Sequence, residues 1–322
     1  MKNNKILLTT TASFYKTIEE TDLKDFLAKK GAEVILQPRL APPFSFDASK
    51  VFGLVAGHNP MGELVRADAE TVKKFPNLKI VSPFGIGIDH IDCKGLKNAG
   101  VNPITLPHFS KRTVAELTIG FLFALARNIL PQTADIKNKI WQRMNGQNIY
   151  GKTLGIIGLG NIGKETAILA RGVGLKVLAS DLVYDEEFNK KYDIQKADFA
   201  TLLKKSDFIT LHVPLTEGVN GTRDLMDKRA FSLVKEGAIF INVARGEVVD
   251  DKALLEALFS GRLAGAALDV FSSEPPFENE TLYRIIRHPN VITTPHIGAF
   301  TPEIRYEIAK KICEEFSPFC VS

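Results

Sequence analysis

The chain has 322 residues, 45% hydrophobic and 24% charged, with a formal net charge of +4. That length fits two domains or one large one, and the composition is that of a folded protein with a core, which excludes disordered and fibrous classes. The charge comes from 41 basic and 37 acidic residues with no basic block or basic–aromatic stripe, so no nucleic-acid partner is expected.

Met1-Lys2-Asn3-Asn4-Lys5 leads straight into Ile6-Leu7-Leu8, without the longer apolar core and cleavage site of a secretory signal. Lys5–Thr10 reads as a strand, and Thr21–Lys30 as a helix capped by Thr21 and stopped by Gly31. Glu33–Leu36, Val51–Ala56, Lys79–Ser82 and Val101–Thr105 are further strands, with helices at Ala67–Phe75 and Asp92–Ala99. Short apolar strands separated by helices imply a parallel sheet covered on both faces. Lys111–Asn128 is apolar all round, through Val114, Leu117, Ile119, Phe121, Leu122, Phe123 and Leu125, so this helix is expected to be buried on most sides and to end or kink at Pro131. The polar stretch to Tyr150 holds the only tryptophan, Trp141, and reads equally as an arm or as a surface helix anchored by one indole.

A second alternating unit starts at Lys152. Its strands are Thr153–Ile157, Lys176–Ser180, Asp207–His212, Ala238–Val243, Ala264–Val270 and Val291–Thr294; its helices are Asn161–Gly172, Phe199–Lys204, Asp227–Leu233 and Asp251–Ser260. Six strands with helical crossovers make a doubly wound dinucleotide domain. Thr301–Phe316 is one more helix. The longest apolar stretch, Leu117 to Leu130, is interrupted by Arg127 and Asn128 and is too short to cross a bilayer. Cys93, Cys313 and Cys320 are odd in number and match no zinc spacing, which suits a reducing compartment; Cys93 reads as a packed side chain. A cytoplasmic protein with no metal and no membrane partner is expected.

The cofactor signal follows the first strand of the second unit. Gly158-Leu159-Gly160-Asn161-Ile162-Gly163 places one glycine for a tight turn, one for close approach to a pyrophosphate and one for helix–strand packing. The phosphates would then lie at the head of the helix, beside Asn161 and Ile162. Asp181 ends the next strand, where a carboxylate accepts from both ribose hydroxyls and repels a 2′-phosphate; Leu182 and Val183 follow in place of an arginine, so NAD is expected over NADP.

Three distant segments carry the remaining chemistry: Asn242-Val243-Ala244-Arg245-Gly246, Asp269-Val270-Phe271-Ser272-Ser273-Glu274-Pro275-Pro276 and Thr294-Pro295-His296-Ile297-Gly298. Reduction of a 2-keto acid needs a hydride at C2 and a proton on its oxygen. An imidazole such as His296 exchanges a proton near neutral pH. Glu274 would hold its other nitrogen, fixing the tautomer and raising the pKa. Arg245 would clamp the substrate carboxylate with a planar fork that lysine cannot copy. Each residue alone has a plainer reading: a surface histidine, a structural ion pair, loop polarity. Together they stand at the C-terminal ends of strands, the edge where open α/β sheets bind ligands.

With Gly85-Ile86-Gly87-Ile88-Asp89-His90-Ile91-Asp92, Val114-Ala115-Glu116-Leu117 and Leu211-His212-Val213-Pro214-Leu215-Thr216, these motifs make the chain resemble the D-isomer-specific 2-hydroxyacid dehydrogenases of the phosphoglycerate dehydrogenase-like branch, over almost its whole length. The resemblance implies an α/β architecture of two doubly wound parallel-sheet domains, with a Rossmann nucleotide-binding domain (107–297) inserted into a flavodoxin-like substrate domain (1–106 and 298–322). It also implies catalysis by Arg245, Glu274 and His296, and a carboxylate site completed by backbone N–H groups at Ile86 and Gly87. Asp269 would bond the nicotinamide carboxamide, His212 and Pro214 would touch the cofactor ribose, and Thr113, Val243 and Ala244 would line the cofactor. His90 and His108 are read as structural or rim residues. The implied assembly is a homodimer, and the implied substrate a small 2-keto or 2-hydroxy acid. Relatives that act on a phosphorylated acid carry an arginine where this chain has Pro83; His58 and Arg112 are the substitutes at hand, and Phe84 suits an uncharged side chain. Glu274, rather than glutamine, argues against a formate dehydrogenase. Two readings stay open beside the small-acid enzyme: a non-enzymatic, NAD(H)-sensing protein like the corepressors on this scaffold, and a phosphoglycerate dehydrogenase with an atypical phosphate site.

Overall fold

The computed structural model describes residues 5–85, 87–106, 109–219 and 221–320. The chain separates into two compact units, Met1–Ser110 with Ala299–Ser322, and Lys111–Gly298.

The first unit runs β1 (Lys5–Thr9), α1 (Ala12–Glu19), α2 (Leu23–Lys29), β2 (Ala32–Leu36), β3 (Val51–Ala56), α3 (Ala69–Lys74), β4 (Ile80–Pro83), α4 (Cys93–Asn98) and β5 (Asn102–Pro103), and it regains the C-terminal helix Pro302–Cys320. Its five strands pair in parallel in the order β2-β1-β3-β4-β5, the flavodoxin-like winding expected. Successive side chains of β1 enter opposite cores. Leu7 joins Phe14, Ile18, Phe52 and Phe316 on one face, and Ile6 and Leu8 join Leu54, Phe75, Val81 and Leu96 on the other. Gly53 matters here, because a Cβ would lie 2.7 Å from the Phe316 ring that seats the C-terminal helix on β3. Cys93 opens α4 and packs, half-buried, against the second core.

The second unit runs α5 (Lys111–Ala126), α6 (Ile129–Lys137), β6 (Thr153–Ile157), α7 (Asn161–Gly172), β7 (Lys176–Ser180), α8 (Glu186–Tyr192), β8 (Ile194–Lys196), α9 (Phe199–Lys205), β9 (Phe208–Leu211), α10 (Lys228–Leu233), β10 (Ala238–Asn242), α11 (Asp251–Phe259), β11 (Leu263–Leu268), α12 (Glu280–Ile286) and β12 (Val291–Thr293). The order β12-β11-β10-β9-β6-β7-β8, parallel throughout, reverses direction beside β6. That reversal is the topological switch point of a Rossmann sheet, where nucleotides bind.

Several local expectations fail for identifiable reasons. The α1 helix went unseen because its apolar signal is two residues, Phe14 and Ile18, one turn apart. Asp22 holds the N-cap position of α2 without a side-chain cap bond, and the Thr21 hydroxyl, which donates to Thr17 O at 2.7 Å, accepts from Leu23 N only at 3.4 Å. The β8 edge strand is three residues long, too short for any periodicity. Pro131 does not break the long helix. The break falls at Arg127–Asn128, where Asn128 takes φ 52°, and Pro131 sits in the first turn of α6, where a missing N–H costs nothing. Residues after α6 form an irregular segment in which Trp141 is 83% exposed, so the indole anchors nothing within this chain. No single helix among the described residues is long and apolar enough to cross a membrane.

Candidate active site

At the switch point β6 turns into α7 through the glycine loop. Gly158 has φ +93°, and a Cβ there would lie 2.7 Å from the His212 carbonyl oxygen, so glycine is required for both conformation and space. A Cβ on Gly163 would collide with the Gly158 carbonyl, which is how the helix packs tightly under the loop. At Gly160 a Cβ would meet nothing within 4 Å, so the loop presents open backbone at the head of a 12-residue helix. Amides there suit a pyrophosphate. Asp181 closes the other side. Its Oδ2 accepts from Leu159 N at 2.5 Å and its Oδ1 from Val183 N at 3.1 Å, while Tyr184 OH accepts from Asp181 N at 3.1 Å. Asp181 is therefore fixed to the glycine loop. His212 follows β9 with Nε2 3.2 Å from Thr210 Oγ1, and its buried Nδ1 has no protein partner among the described residues. Burial pushes its pKa down to about 3, so the ring is neutral and offers one unmatched nitrogen beside the loop. Open backbone, a fixed acid and an unmatched ring nitrogen fit a dinucleotide.

Three further strand ends, those of β10, β11 and β12, hold the polar kit. Arg245 leaves β10 in a turn braced by Asn242, which donates from Nδ2 to Arg245 O at 2.8 Å and accepts at Oδ1 from Ala244 N at 3.0 Å. Val243 and Ala244 are buried beside it, and Arg245 Nη1 donates to Ala244 O at 2.7 Å. Glu274 Oε1 accepts from Phe271 N at 3.1 Å, leaving Oε2 3.0 Å from His296 Nδ1. His296 adopts φ 55°, a left-handed conformation uncommon outside glycine. Asp269 holds it there. The carboxylate is 1% exposed and accepts from Thr294 Oγ1 at 2.5 Å, Ile297 N at 2.8 Å and Gly298 N at 2.8 Å, while its backbone oxygen accepts from His296 N at 2.9 Å.

Residues 119–298 match the sequence family of the D-isomer-specific 2-hydroxyacid dehydrogenase NAD-binding domain. The chain belongs to the D-isomer-specific 2-hydroxyacid dehydrogenases. It is an NAD-dependent oxidoreductase of that family. The dehydrogenase is 38% identical to the hydroxypyruvate reductase of Thermotoga maritima over 252 residues, 78% of this chain and 80% of that one. It is 41% identical to the D-3-phosphoglycerate dehydrogenase of Bacillus subtilis over 248 residues, 76% of this chain but 46% of that one, so it spans about half the length of that relative. The crystal structure of the Aquifex aeolicus D-lactate dehydrogenase complexed with NAD and lactic acid superposes with a TM-score of 0.80 at 25% identity, over 98% of this chain and 95% of that one.

Within the dehydrogenase the electrostatics of His296 are set by burial and three charged groups. Burial disfavours the imidazolium; the Glu274 hydrogen bond and charge, and then Asp269, favour it, and Arg245 opposes it. The side chain is 41% exposed, so desolvation is partial and the carboxylates win, holding the pKa above the usual imidazole value. Replacing Glu274 with glutamine keeps the shape and removes the charge. The His296 resonance in Glu274→Gln is expected to titrate at lower pH than in the parent, read by proton NMR of the imidazole. An unchanged titration would mean that Glu274 does not govern this ring.

Of the other expected residues, Thr113 lies half-buried in the first turn of α5 and Pro214 is exposed in the loop after β9. Gly87 lies in the irregular segment after β4, and Ile86 and His108 fall outside the described residues. His90 is structural: it is 8% exposed, with Nε2 3.2 Å from Ala56 O. The reading from sequence missed Asn242, Thr294 and Tyr184. Asn242 had a signal, since asparagine at a strand end often folds the following turn through its side chain. The other two hydroxyls had none.

Proposed function

We propose that the enzyme reduces a small, unphosphorylated 2-keto acid to its D-2-hydroxy acid, reversibly, with His296 as acid and base. The observation that carries this reading is the Glu274–His296 pair at 3.0 Å, which engages Nδ1 with a carboxylate, so that proton transfer would run through Nε2. NADH, when bound, supplies the hydride that adds to C2. His296 gives the proton to the carbonyl oxygen, so that the C=O π bond is replaced by a C–H and an O–H bond and the C–O single bond remains. In oxidation the neutral ring takes that proton back. Arg245 would bind the carboxylate of the acid and draw electron density toward the carbonyl oxygen. Asp269 would reach the cofactor carboxamide only with lone pairs left over from the 294–298 turn, so its main work is holding that turn.

The preference for an unphosphorylated acid rests on the sequence of the first unit, where Pro83 stands in place of an arginine. At its strand ends Pro83 carries no N–H and Phe84 packs edge-on against Phe14 with ring centroids 5.3 Å apart, so neither of these two residues offers a charge to a phosphate. Arg112, the alternative, is committed to Glu116 at 3.0 Å and Glu165 at 3.6 Å. The test is NADH and NADPH oxidation with glyoxylate, hydroxypyruvate, pyruvate and 3-phosphohydroxypyruvate. Turnover is expected on the unphosphorylated acids, with NADH preferred about 100-fold because Asp181 repels a 2′-phosphate. Preference for the phosphorylated acid would overturn the substrate reading, and preference for NADPH the cofactor assignment.

A further inference from the structure

The Arg245 turn and the Glu274 turn touch at one point. Gly246 lies so close to the Phe271–Ser272 peptide group that a Cβ would coincide with its atoms. Gly246 does not have a left-handed φ, so the glycine is required by space and not by backbone freedom. Both sides of this contact are rigid. Asn242, 1% exposed, braces the Arg245 side through its bonds to Arg245 O and Ala244 N. On the other side Phe271 N holds Glu274 Oε1 at 3.1 Å, and Ser272 Oγ donates to Asp251 Oδ2 at 2.5 Å, fastening that turn to the start of α11. The peptide that Gly246 touches therefore adjoins the one whose N–H, on Phe271, holds the carboxylate facing His296.

We propose that Gly246 is a positioning residue: the missing side chain sets the spacing between the guanidinium that takes the substrate and the carboxylate that holds the catalytic imidazole. A methyl group at this position must push the Phe271–Glu274 turn outward, because the obstruction is backbone and has no flexible end to yield. Glu274 then withdraws from His296 while the glycine loop and Asp181, on other strands, stay in place. This inference rests on the roles proposed above for Arg245, Glu274 and His296.

The experiment is Gly246→Ala, followed by NADH fluorescence titration, imidazole NMR and steady-state kinetics with the best acid of the panel. NADH affinity is expected to stay within about threefold, kcat to fall about 100-fold, as for a misplacement near 1 Å, and His296 to titrate at lower pH than in the parent. A kcat within about threefold of the parent, or an unmoved His296 titration, overturns the proposal. Should the alanine variant not fold, Asn242→Ala loosens the same contact from the Arg245 side. It is expected to lose about tenfold in kcat with NADH binding kept, and unchanged kinetics overturn the proposal equally. If the parent turns over none of the acids, the functional reading fails by itself, and the NMR titration still decides the role of Gly246.

Discussion

His296→Asn is expected to lower kcat for keto-acid reduction about 10⁴-fold, the upper end of what a positioned acid–base group supplies, while NADH affinity stays within about threefold. Asparagine is the informative replacement because the position has φ 55°, a conformation asparagine tolerates, so the Asp269-held turn survives and the loss reports chemistry and not refolding of the loop. The pH dependence gives a second measurement. The parent pKa is raised, so the imidazolium needed for reduction persists at pH values where a free imidazole would be neutral. Reduction, followed as kcat/KM, should hold at low pH and fall as pH rises through that elevated pKa. Oxidation, which needs the neutral ring, should rise over the same interval. In the asparagine variant both limbs should vanish. Residual kcat within about tenfold of the parent, or a retained limb, would show that some other group moves the proton.

The parts legible in the sequence are those fixed by residue type or by period. The alternation of short apolar strands with helices led to two parallel sheets, and the glycine spacing placed the cofactor loop at the start of α7. Arg245, Glu274 and His296 were singled out because hydride transfer to a keto acid narrows the choice of side chains and because the segments that hold them resemble the family's motifs. What stayed hidden is contact between neighbours in space. Gly246 and the Phe271–Ser272 peptide lie 25 or more positions apart and meet only because β10 and β11 pair in register. Beyond the cofactor role expected of it, Asp269 holds the 294–298 turn through Thr294, Ile297 and Gly298. A carboxylate ending one strand says nothing of which turn of the next strand it will hold. Short polar helices such as α8 also escaped, because Asp185 caps that helix while its buried face is little more than one residue, Asn189.

Arg245→Lys is the second large effect, an expected loss of about 10³-fold in kcat/KM with NADH affinity kept. The guanidinium has two tasks that one ammonium cannot perform together. One nitrogen, Nη1, donates to Ala244 O at 2.7 Å and fixes the plane of the group, whose forked geometry matches the two oxygens of a carboxylate. Lysine keeps the charge but is a point donor on a flexible stem, so the acid would bind with its carbonyl misaligned to His296, and both KM and kcat should suffer. The charge can be separated from the geometry. Arg245 opposes protonation of His296, so Arg245→Gln should raise the pH at which the ring titrates, whereas Arg245→Lys, which keeps a positive charge nearby, should move it less. A lysine variant within about tenfold of the parent would mean that charge alone binds the acid, and the planar clamp would have to be abandoned.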